Sequence, residues 1–196
     1  MRHGKWVLAL GALALLGGCA GTPAPSYFTL DTGMPARPAA GLTPSLAITR
    51  IALPELIDRP QLVVRSADNE VRIHESLRWA EPLRRQIPLL LADELGRQLG
   101  SGRVVAAPLD GAGGDADFRL RLDVQRLVAR SGGGAEVDML WHLESRQGKT
   151  ASGRSMVSEA ADGSDPAALV AAQRRALIRV AAEIAGSVRA LQAGKP

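Results

Sequence analysis

The sequence predicts an α+β fold: a single domain whose mostly antiparallel sheet carries two helices on one face, following a signal peptide and a flexible tether. Segments that alternate apolar and polar residues lie before and after a first amphipathic helical segment, and a second such segment ends the chain. The first 44 residues lack both patterns. At 196 residues, the chain is long enough for one domain with a real core.

The composition argues against several classes of function. A formal net charge of +4 gives no case for nucleic-acid binding, which would show a clustered basic face, so no nucleic-acid partner is expected. One cysteine cannot form a disulfide within the chain, and the three histidines are never at metal-ligand spacing. The sequence also contains no GxSxG, P-loop, HExxH, CxxC or dinucleotide motif. We therefore predict no catalytic, cofactor or metal site.

The first 18 residues have the layout of a secretory signal. Arg2, His3 and Lys5 form a basic start, an uncharged apolar run follows from Trp6 to Leu16, and small residues come next. As a helix, this eleven-residue run would rise about 16 Å, roughly half of a ~30 Å hydrocarbon core. A cleaved signal peptide over 1–18 is therefore expected rather than a permanent membrane span.

The chain's single cysteine follows this run directly. Leu16-Gly17-Gly18-Cys19 resembles a bacterial lipobox, with leucine three residues before the cysteine and a small residue just before it. The resemblance implies cleavage before Cys19, a thioether lipid on its sulfur and acylation of its new amine, which together make a firm anchor. Gly17 departs from the more usual Ala or Ser, and an ordinary signal with an incidental cysteine is the alternative. Ala20, where inner-membrane lipoproteins of diderm bacteria tend to carry Asp, points to the outer membrane, facing the periplasm.

Residues 19–44 are predicted to be the lipidated cysteine and a flexible spacer, and residues 45–194 the folded domain. Between 20 and 44, 18 of 25 residues are Gly, Pro, Ala, Ser or Thr, a composition that buries little apolar surface. Tyr27-Phe28-Thr29-Leu30 interrupts this stretch with β-favouring residues. The sequence leaves open whether these four residues form a docked strand or a loose apolar patch.

The domain itself alternates between strand-like and helix-like segments. Short strands are predicted at 45–54, 61–65, 70–73 and 103–105, and longer ones at 118–130, 135–143 and 149–158. A first helix opens at Pro82 and stops at Gly100, with an apolar stripe formed by Leu83, Ile87, Leu90, Leu91, Leu95 and Leu99. A second is capped by Asp165 and opens at Pro166, with a stripe formed by Leu169, Leu177, Val180, Ile184, Val188 and Leu191.

The strand from Phe118 changes the parity of its apolar residues after Val124, which predicts a β-bulge at 125–126. Placing the bulge opposite Leu140 pairs Leu127 with Met139. On the polar face, the same register pairs Asp123 with His142 and Arg121 with Glu144. This register gives His142 a structural role and weakens any catalytic one.

Several polar residues could be interpreted as functional, but each of them also has a simpler structural interpretation. A general base at His142 or His74 needs a nucleophile or substrate pocket, and the sequence shows neither. The arginines of the last helix offer contacts for an anionic partner or lipid headgroups, but a solvated helix face is the simpler interpretation for Arg174, Arg175, Arg179 and Arg189.

Three segments together resemble the ABC-type transport auxiliary lipoproteins, the PqiC-like group. They are Leu53–Arg65 (LPELIDRPQLVVR), Arg78–Leu83 (RWAEPL) and Tyr27–Leu30 (YFTL). The first is quite specific and the last is weak, while the resemblance covers essentially the whole mature chain. Trp79 stands where a turn meets a helix, a place where an aromatic ring can pin the helix to the sheet.

The resemblance implies a non-catalytic component of an MCE-type system, which carries lipids between the two membranes of diderm bacteria. The expected partners are an MCE-domain protein, whose tunnel would dock at this lipoprotein, and the outer membrane, reached through the lipid anchor. Self-association into a homo-oligomer is left open. Two other functions remain: an outer-membrane assembly or peptidoglycan-synthase activator lipoprotein, and a periplasmic hydrolase whose site forms only in the fold.

Overall fold

A computed structural model describes residues 24–31, 41–106 and 115–194. The signal peptide and Cys19, which carry the predicted lipid anchor, lie outside these residues. The described chain contains eight strands and two helices, which are β1 (Ser26–Phe28), β2 (Leu46–Ala52), β3 (Gln61–Ala67), β4 (Glu70–Trp79), α1 (Leu83–Leu99), β5 (Val104–Ala106), β6 (Phe118–Arg130), β7 (Gly134–Ser145), β8 (Thr150–Ala160) and α2 (Pro166–Gln192). The predicted α+β class with two helices is confirmed.

All eight strands form one mixed sheet organised around β6. One edge of β6 pairs along its whole length with β7, and β7 pairs in turn with β8, both antiparallel. The other edge of β6 is shared between two parallel partners: β2 lies along its first half and β3 meets its last residues. β5 extends the sheet beyond β2, and β4 and then β1 extend it beyond β3. The long ladders are antiparallel, whereas β1 and β5 add short parallel ones.

The β6–β7 hairpin confirms the predicted bulge, but its register differs from the predicted one by two residues. The ladder shifts between Val124 and Arg126, so Gln125 is the extra residue. Leu127 faces Val137 instead of Met139, and Asp123 faces Leu140 instead of His142. A slip of two residues keeps every side chain on its own face, so apolar periodicity does not detect it. The turn decides the register: Gly132 and Gly133 have φ of 109° and 101°, which permits a turn of three residues.

The helices begin and end on the residues that the sequence marks, with one difference. Asp165 caps α2 by accepting hydrogen bonds from the backbone N–H groups of Ala167 and Ala168, at 3.0 and 3.1 Å. α1 begins at Leu83, one residue later than predicted, because Pro82 occupies the cap position with extended ψ. Gly100 ends α1 in the left-handed region with φ of 66°.

The core lies between the helices and the face of the sheet that they cover. Ile87, Leu91 and Leu95 of α1, and Leu177 and Ile184 of α2, have no solvent exposure. They meet inward-pointing residues of the longest strands, which include Leu120, Leu122, Val124, Met139 and Leu143. The opposite face of the sheet, here called the outer face, carries the alternating polar residues of β6, β7 and β8.

A carboxylate joins the starts of β2 and β6. Asp117 Oδ2 accepts hydrogen bonds from the Ser45 backbone N–H at 2.9 Å and the Ser45 hydroxyl at 2.8 Å. The Asp117 N–H in turn donates to Ser45 Oγ at 2.9 Å. The hydrogen bonds from Ser45, helped by the charges of Arg146 and Arg103, hold the pKa of Asp117 below its ordinary value of 3.8.

This lowered pKa predicts a specific loss of stability in acid. Because the folded state favours the ionised carboxylate, its contribution is present above about pH 4 and disappears as pH falls through the folded-state pKa. We expect Asp117→Asn to lose less free energy of unfolding between pH 7 and pH 3 than the wild type, as measured by urea denaturation at each pH. Ser158→Ala, an exposed substitution on β8 that removes no titratable group, is the control and should keep the wild-type pH dependence. Equal losses in the wild type and Asp117→Asn would contradict the assignment.

Candidate functional site: the junction of tether and domain

The fold brings the three segments that carry the family resemblance to one place. β1 runs parallel to the end of β4, with Ser26 opposite Leu77 and Phe28 opposite Trp79. The Ala80 N–H donates to the Phe28 carbonyl at 2.7 Å and continues this pairing past the end of β4. Part of the stretch predicted as a flexible spacer is therefore a docked edge strand. We call the contact region of residues 26–30, 53–62 and 77–86 the junction.

Trp79 lies at the centre of the junction and is 5% exposed. Its backbone N–H donates to the Pro60 carbonyl at 2.7 Å, which fixes the end of the 53–60 segment across β4. Trp79 belongs to the same buried cluster as Ile57 of the loop and Leu83 of the first turn of α1, and the three residues line one small cleft. The sequence interpretation of Trp79 as a packing residue between helix and sheet agrees with these contacts.

Gln86 is the polar residue that fastens β1 to α1. Its side-chain Oε1 accepts hydrogen bonds from the Leu30 N–H at 2.7 Å and the Thr29 hydroxyl at 3.1 Å. Its Nε2 donates to the Glu81 carbonyl at 2.6 Å, so both ends of the buried amide are used. Sequence analysis missed this residue. The available signal was a glutamine three residues after Leu83 and four before Leu90, on the apolar stripe of the helix.

Arg174 of α2 holds the same segment from the other helix. Its Nε donates to the Leu30 carbonyl at 3.2 Å, so side chains from two helices hold both backbone polar groups of Leu30. The Leu30 side chain itself has no solvent exposure. Residues 26–30 are therefore an integral part of the folded domain.

An ion pair ties the 53–60 segment to the start of α1. Arg84 Nε lies 3.1 Å from Asp58 Oδ1, and its Nη2 contacts Asp58 Oδ2. The hydrogen bond from Arg84 lowers the pKa of the Asp58 carboxyl. This pair links the 53–60 segment to the first turn of α1.

The other arginines of α2 also have partners within the chain. Arg175 and Arg179 reach Glu159 of β8, and Arg175 also lies 3.5 Å from Asp162. Arg189 donates to the Gln98 carbonyl at the end of α1 at 2.8 Å. These contacts support the structural interpretation of the four arginines over the one in which they bind an anionic partner.

The two candidate histidines lie apart from the junction and from each other. His142 lies on the outer face opposite Arg121, and its Nδ1 is 2.7 Å from the Ser152 hydroxyl. The predicted pairing with Asp123 is wrong because of the two-residue register difference. His74 lies on β4 opposite Leu62. Neither histidine lines the small cleft at Trp79.

Ion pairs cover much of the outer face around His142. Arg154 donates to both carboxylate oxygens of Asp138, at 2.8 and 2.6 Å, and Arg130 Nε lies 2.6 Å from Glu136 Oε1. These hydrogen bonds lower the pKa values of Asp138 and Glu136. Asp138 and Glu136, which precede His142 on β7, are thus engaged by arginines, an arrangement that stabilises the sheet.

Two further features bear on what this site can do. Across residues 24–31, 41–106 and 115–194, no three His, Cys, Asp or Glu side chains are grouped as metal ligands. Within the same part of the chain, neither helix has the length and apolarity needed to cross a membrane. At the junction, an edge strand, a loop and side chains from two helices pack together and hold residues 26–30 on the domain.

Comparisons with known proteins identify the family to which this fold and sequence belong. Among solved structures, one protein of uncharacterised function superposes with a TM-score of 0.70 at 21% identity, over 84% of this chain and 99% of its own. Protein XCC0632 from Xanthomonas campestris superposes with a TM-score of 0.55 at 26% identity, over 84% of this chain and 92% of its own. No protein of curated function matches the sequence significantly. The sequence model of the ABC-type transport auxiliary lipoprotein component matches residues 28–185, from the second half of β1 to the last turns of α2. The chain therefore belongs to the ABC-type transport auxiliary lipoprotein family.

Proposed function

We propose that this protein is a non-catalytic lipoprotein of the outer membrane that docks the periplasmic tunnel of an MCE-type lipid transport system. The family is one of auxiliary components of transport, which supports a role in holding other subunits rather than in chemistry. The single observation that carries the proposal is the family match over residues 28–185. The segments that carry the family resemblance are also the ones that dock residues 26–30, at the end of the tether, on the domain.

Membrane attachment is the first part of this proposal. Residues 1–18 would be removed, Cys19 would carry the lipid, and Ala20 would direct the protein to the outer membrane. The domain would then face the periplasm, where it meets the MCE protein. The docking of residues 26–30 supports this arrangement, because it brings the chain that leads back to Cys19 to one edge of the sheet.

Co-purification tests the partner. The lipoprotein, carrying a C-terminal affinity tag after Pro196, is extracted from membranes with mild detergent and captured, and the bound proteins are identified by mass spectrometry. Recovery of an MCE-domain protein and its permease is the expected result. Recovery of a peptidoglycan synthase without any MCE subunit would overturn the proposal and favour the synthase-activator function.

Removing the anchor thiol should release a folded domain. Cys19 precedes the first described strand by seven positions, so Cys19→Ala should appear in the soluble periplasmic fraction with an unchanged melting temperature. Membrane fractionation on a density gradient and a thermal melt by circular dichroism measure the two properties.

A second variant separates anchoring from sorting. Ala20→Asp keeps the lipid but carries the residue typical of inner-membrane lipoproteins, so it should move to the inner-membrane fraction. Cys19→Ala that still co-sediments with the outer membrane would contradict anchoring through this residue.

A further inference from the structure

Strand β8 has one open edge along its whole length. It is eleven residues long and pairs with β7 without a register shift. Across residues 24–31, 41–106 and 115–194, no strand pairs with its other edge, whereas the other terminal strands, β1 and β5, have only three residues each. Natural sheets protect long edges with proline, lysine or a bulge, and β8 contains none of these. This edge is therefore a surface on which a further strand can pair.

The hydrogen bonds at the two ends of the β7–β8 ladder show which residues face the open edge. The Ser145 N–H donates to the Lys149 carbonyl at 2.8 Å, and the Ala161 N–H donates to the Gly133 carbonyl at 3.0 Å. Because these directions alternate along an antiparallel strand, the odd-numbered residues of β8 point their backbone polar groups toward β7. The even-numbered residues point theirs outward. In agreement, the Ala160 carbonyl accepts a hydrogen bond from an α2 side chain instead.

Helix α2 runs antiparallel to β8 along the inner side of this edge. Arg179 pairs with Glu159, near the end of the strand. One helical turn later, Glu183 accepts a hydrogen bond from the Ser155 hydroxyl, four residues earlier in the strand. The middle of β8, around Met156, therefore lies beside the stretch of α2 that separates these two contacts.

The flank of α2 along β8 has two different halves. Its residues follow one another at steps of three or four, and they are Arg175, Arg179, Ala182, Gly186 and Ala190. The first half thus carries long cationic side chains, and the second carries small ones that are exposed. A Cβ atom added at Gly186 would meet no atom within 4 Å, so there is room for a neighbour beside this second half.

We propose that β8 pairs antiparallel with β8 of a second copy of this chain, across a two-fold axis at Met156. The pairing joins two sheets into one and sets the two α2 helices antiparallel to each other. Because α2 contacts both β7 and β8, its axis lies about one strand spacing, ~4.8 Å, from the two-fold axis. The two helix axes are then about 10 Å apart, a distance at which helices pack directly.

A second copy is the occupant that complements both halves of the α2 flank. The two-fold axis lies near Ala182, which is the middle of the flank. Arg179 therefore lies against Gly186 of the second copy, and Arg175 lies against Ala190 of the second copy. The long arginine stems cover the small residues, and this happens twice by symmetry. An unrelated strand would supply only the backbone pairing.

The position of the axis follows from the side chains of β8. An axis at Arg154 would place two guanidinium groups opposite each other, and an axis at Ser155 would bring the two Glu183 carboxylates near each other. An axis at Val157 would set Met156 beside a serine. With the axis at Met156, its side chain, the most exposed large apolar one in the described chain at 71%, packs against its own copy.

The contact is large enough for a specific and reversible dimer. Residues 152–160 of both copies would pair over about 31 Å, and five pairs of outward-pointing residues would give about ten backbone hydrogen bonds. A helix layer and a sheet layer together are about 20 Å deep, so each copy covers roughly 600 Å². The total of about 1,200 Å² lies at the lower end of specific protein interfaces.

Disulfide crosslinking of the full chain, purified in mild detergent, tests the pairing. Met156→Cys places two thiols on the axis, where Cα atoms of a hydrogen-bonded pair are about 5.5 Å apart, within disulfide range. Leu140→Cys is the matched control, because it is exposed on the same face of β7 but lies about 14 Å from its copy. Ser158→Cys, on β8 itself, lies about 13 Å from its copy in this register. The unsubstituted chain gives the background from Cys19, so the comparison does not depend on lipidation.

We expect Met156→Cys to form covalent dimers about tenfold faster than either control. Met156→Lys places two ammonium groups at the axis and should raise the dimer Kd about tenfold in sedimentation experiments, with an unchanged circular dichroism spectrum. Equal crosslinking at all three positions, or none at position 156, would overturn the pairing. Either result would leave the membrane anchor and the proposed transport role intact, because these are tested by fractionation and co-purification.

Discussion

Deleting residues 166–196 is expected to leave a chain with no cooperative unfolding transition. α2 buries eleven residues, and its central members Leu177, Val180 and Ile184 have no solvent exposure. Each large apolar side chain contributes about 1.5–3 kcal/mol when fully buried. Five side chains of the predicted stripe are buried and Leu191 is half-buried, so the loss is comparable to the whole stability of a typical domain, about 5–15 kcal/mol.

The loss extends beyond α2 because the helix covers the inner face of β6, β7 and β8. Without it, Met139 and Leu143 would face water, and Arg174 would no longer hold the Leu30 carbonyl. Circular dichroism against temperature measures the effect. Deletion of 193–196 alone, beyond the end of α2, is the control and should melt like the full chain. A truncated chain that melts cooperatively at the full-length temperature would refute this account.

Gly153→Ala is expected to lower the free energy of unfolding by about 3 kcal/mol, combining overpacking with a lost buried hydrogen bond. Gly153 faces Trp141 across the β7–β8 ladder. A Cβ atom at position 153 would lie 2.2 Å from Trp141 Cζ2 and 2.7 Å from Cε2. Since these atoms belong to a rigid ring that is 8% exposed, the ring itself would have to move.

Moving the ring would also break a polar link between sheet and helix. Trp141 Nε1 donates to the buried Ser155 hydroxyl at 3.1 Å, and that hydroxyl donates to the Glu183 carboxylate on α2. Denaturant unfolding measures the loss. Gly186→Ala, on α2 with no atom within 4 Å of an added Cβ, is the matched control and should be neutral or stabilising by up to about 1 kcal/mol.

A second substitution tests whether the clash between the added methyl group and the indole ring causes the loss of stability in Gly153→Ala. If the clash with the indole is responsible, Trp141→Phe should cost less free energy in the Gly153→Ala background than in the wild type, because the smaller ring makes room. Simple additivity of the two substitutions would show that the clash is not the cause.

Local signals in the sequence predict most of the elements, because caps, turns and apolar periodicity act within a few residues. Asp165 and Gly100 mark helix ends through their own backbone hydrogen bonds, and the parity change after Val124 marks the bulge. Periodicity fixes which face a residue occupies but not its partner. The register of His142 therefore depended on a turn geometry that only the two glycines decide.

The sequence does not predict the contacts of the candidate site that join segments far apart in the chain. Gln86 and Arg174 both act on Leu30, 56 and 144 residues away in the chain. On a helical wheel, Arg174 lies outside the apolar stripe and is therefore interpreted as solvated. Nothing in the neighbouring sequence shows that residues 26–30 pass close to this helix. For the same reason, Tyr27–Leu30 remained undecided until the pairing of β1 with β4 was known.

The position of β6 has a consequence for how the chain reaches its native state. β6, β7 and β8 are contiguous in sequence, so they can form a meander from local contacts alone. β2 with β5, and β3 with β4, form two groups that meet only through β6. As the chain emerges from its N-terminus, these two groups are complete before their shared partner exists, and each exposes an open strand edge to other chains. The interval before residues 118–130 appear is therefore the stage at which this protein is most prone to aggregate.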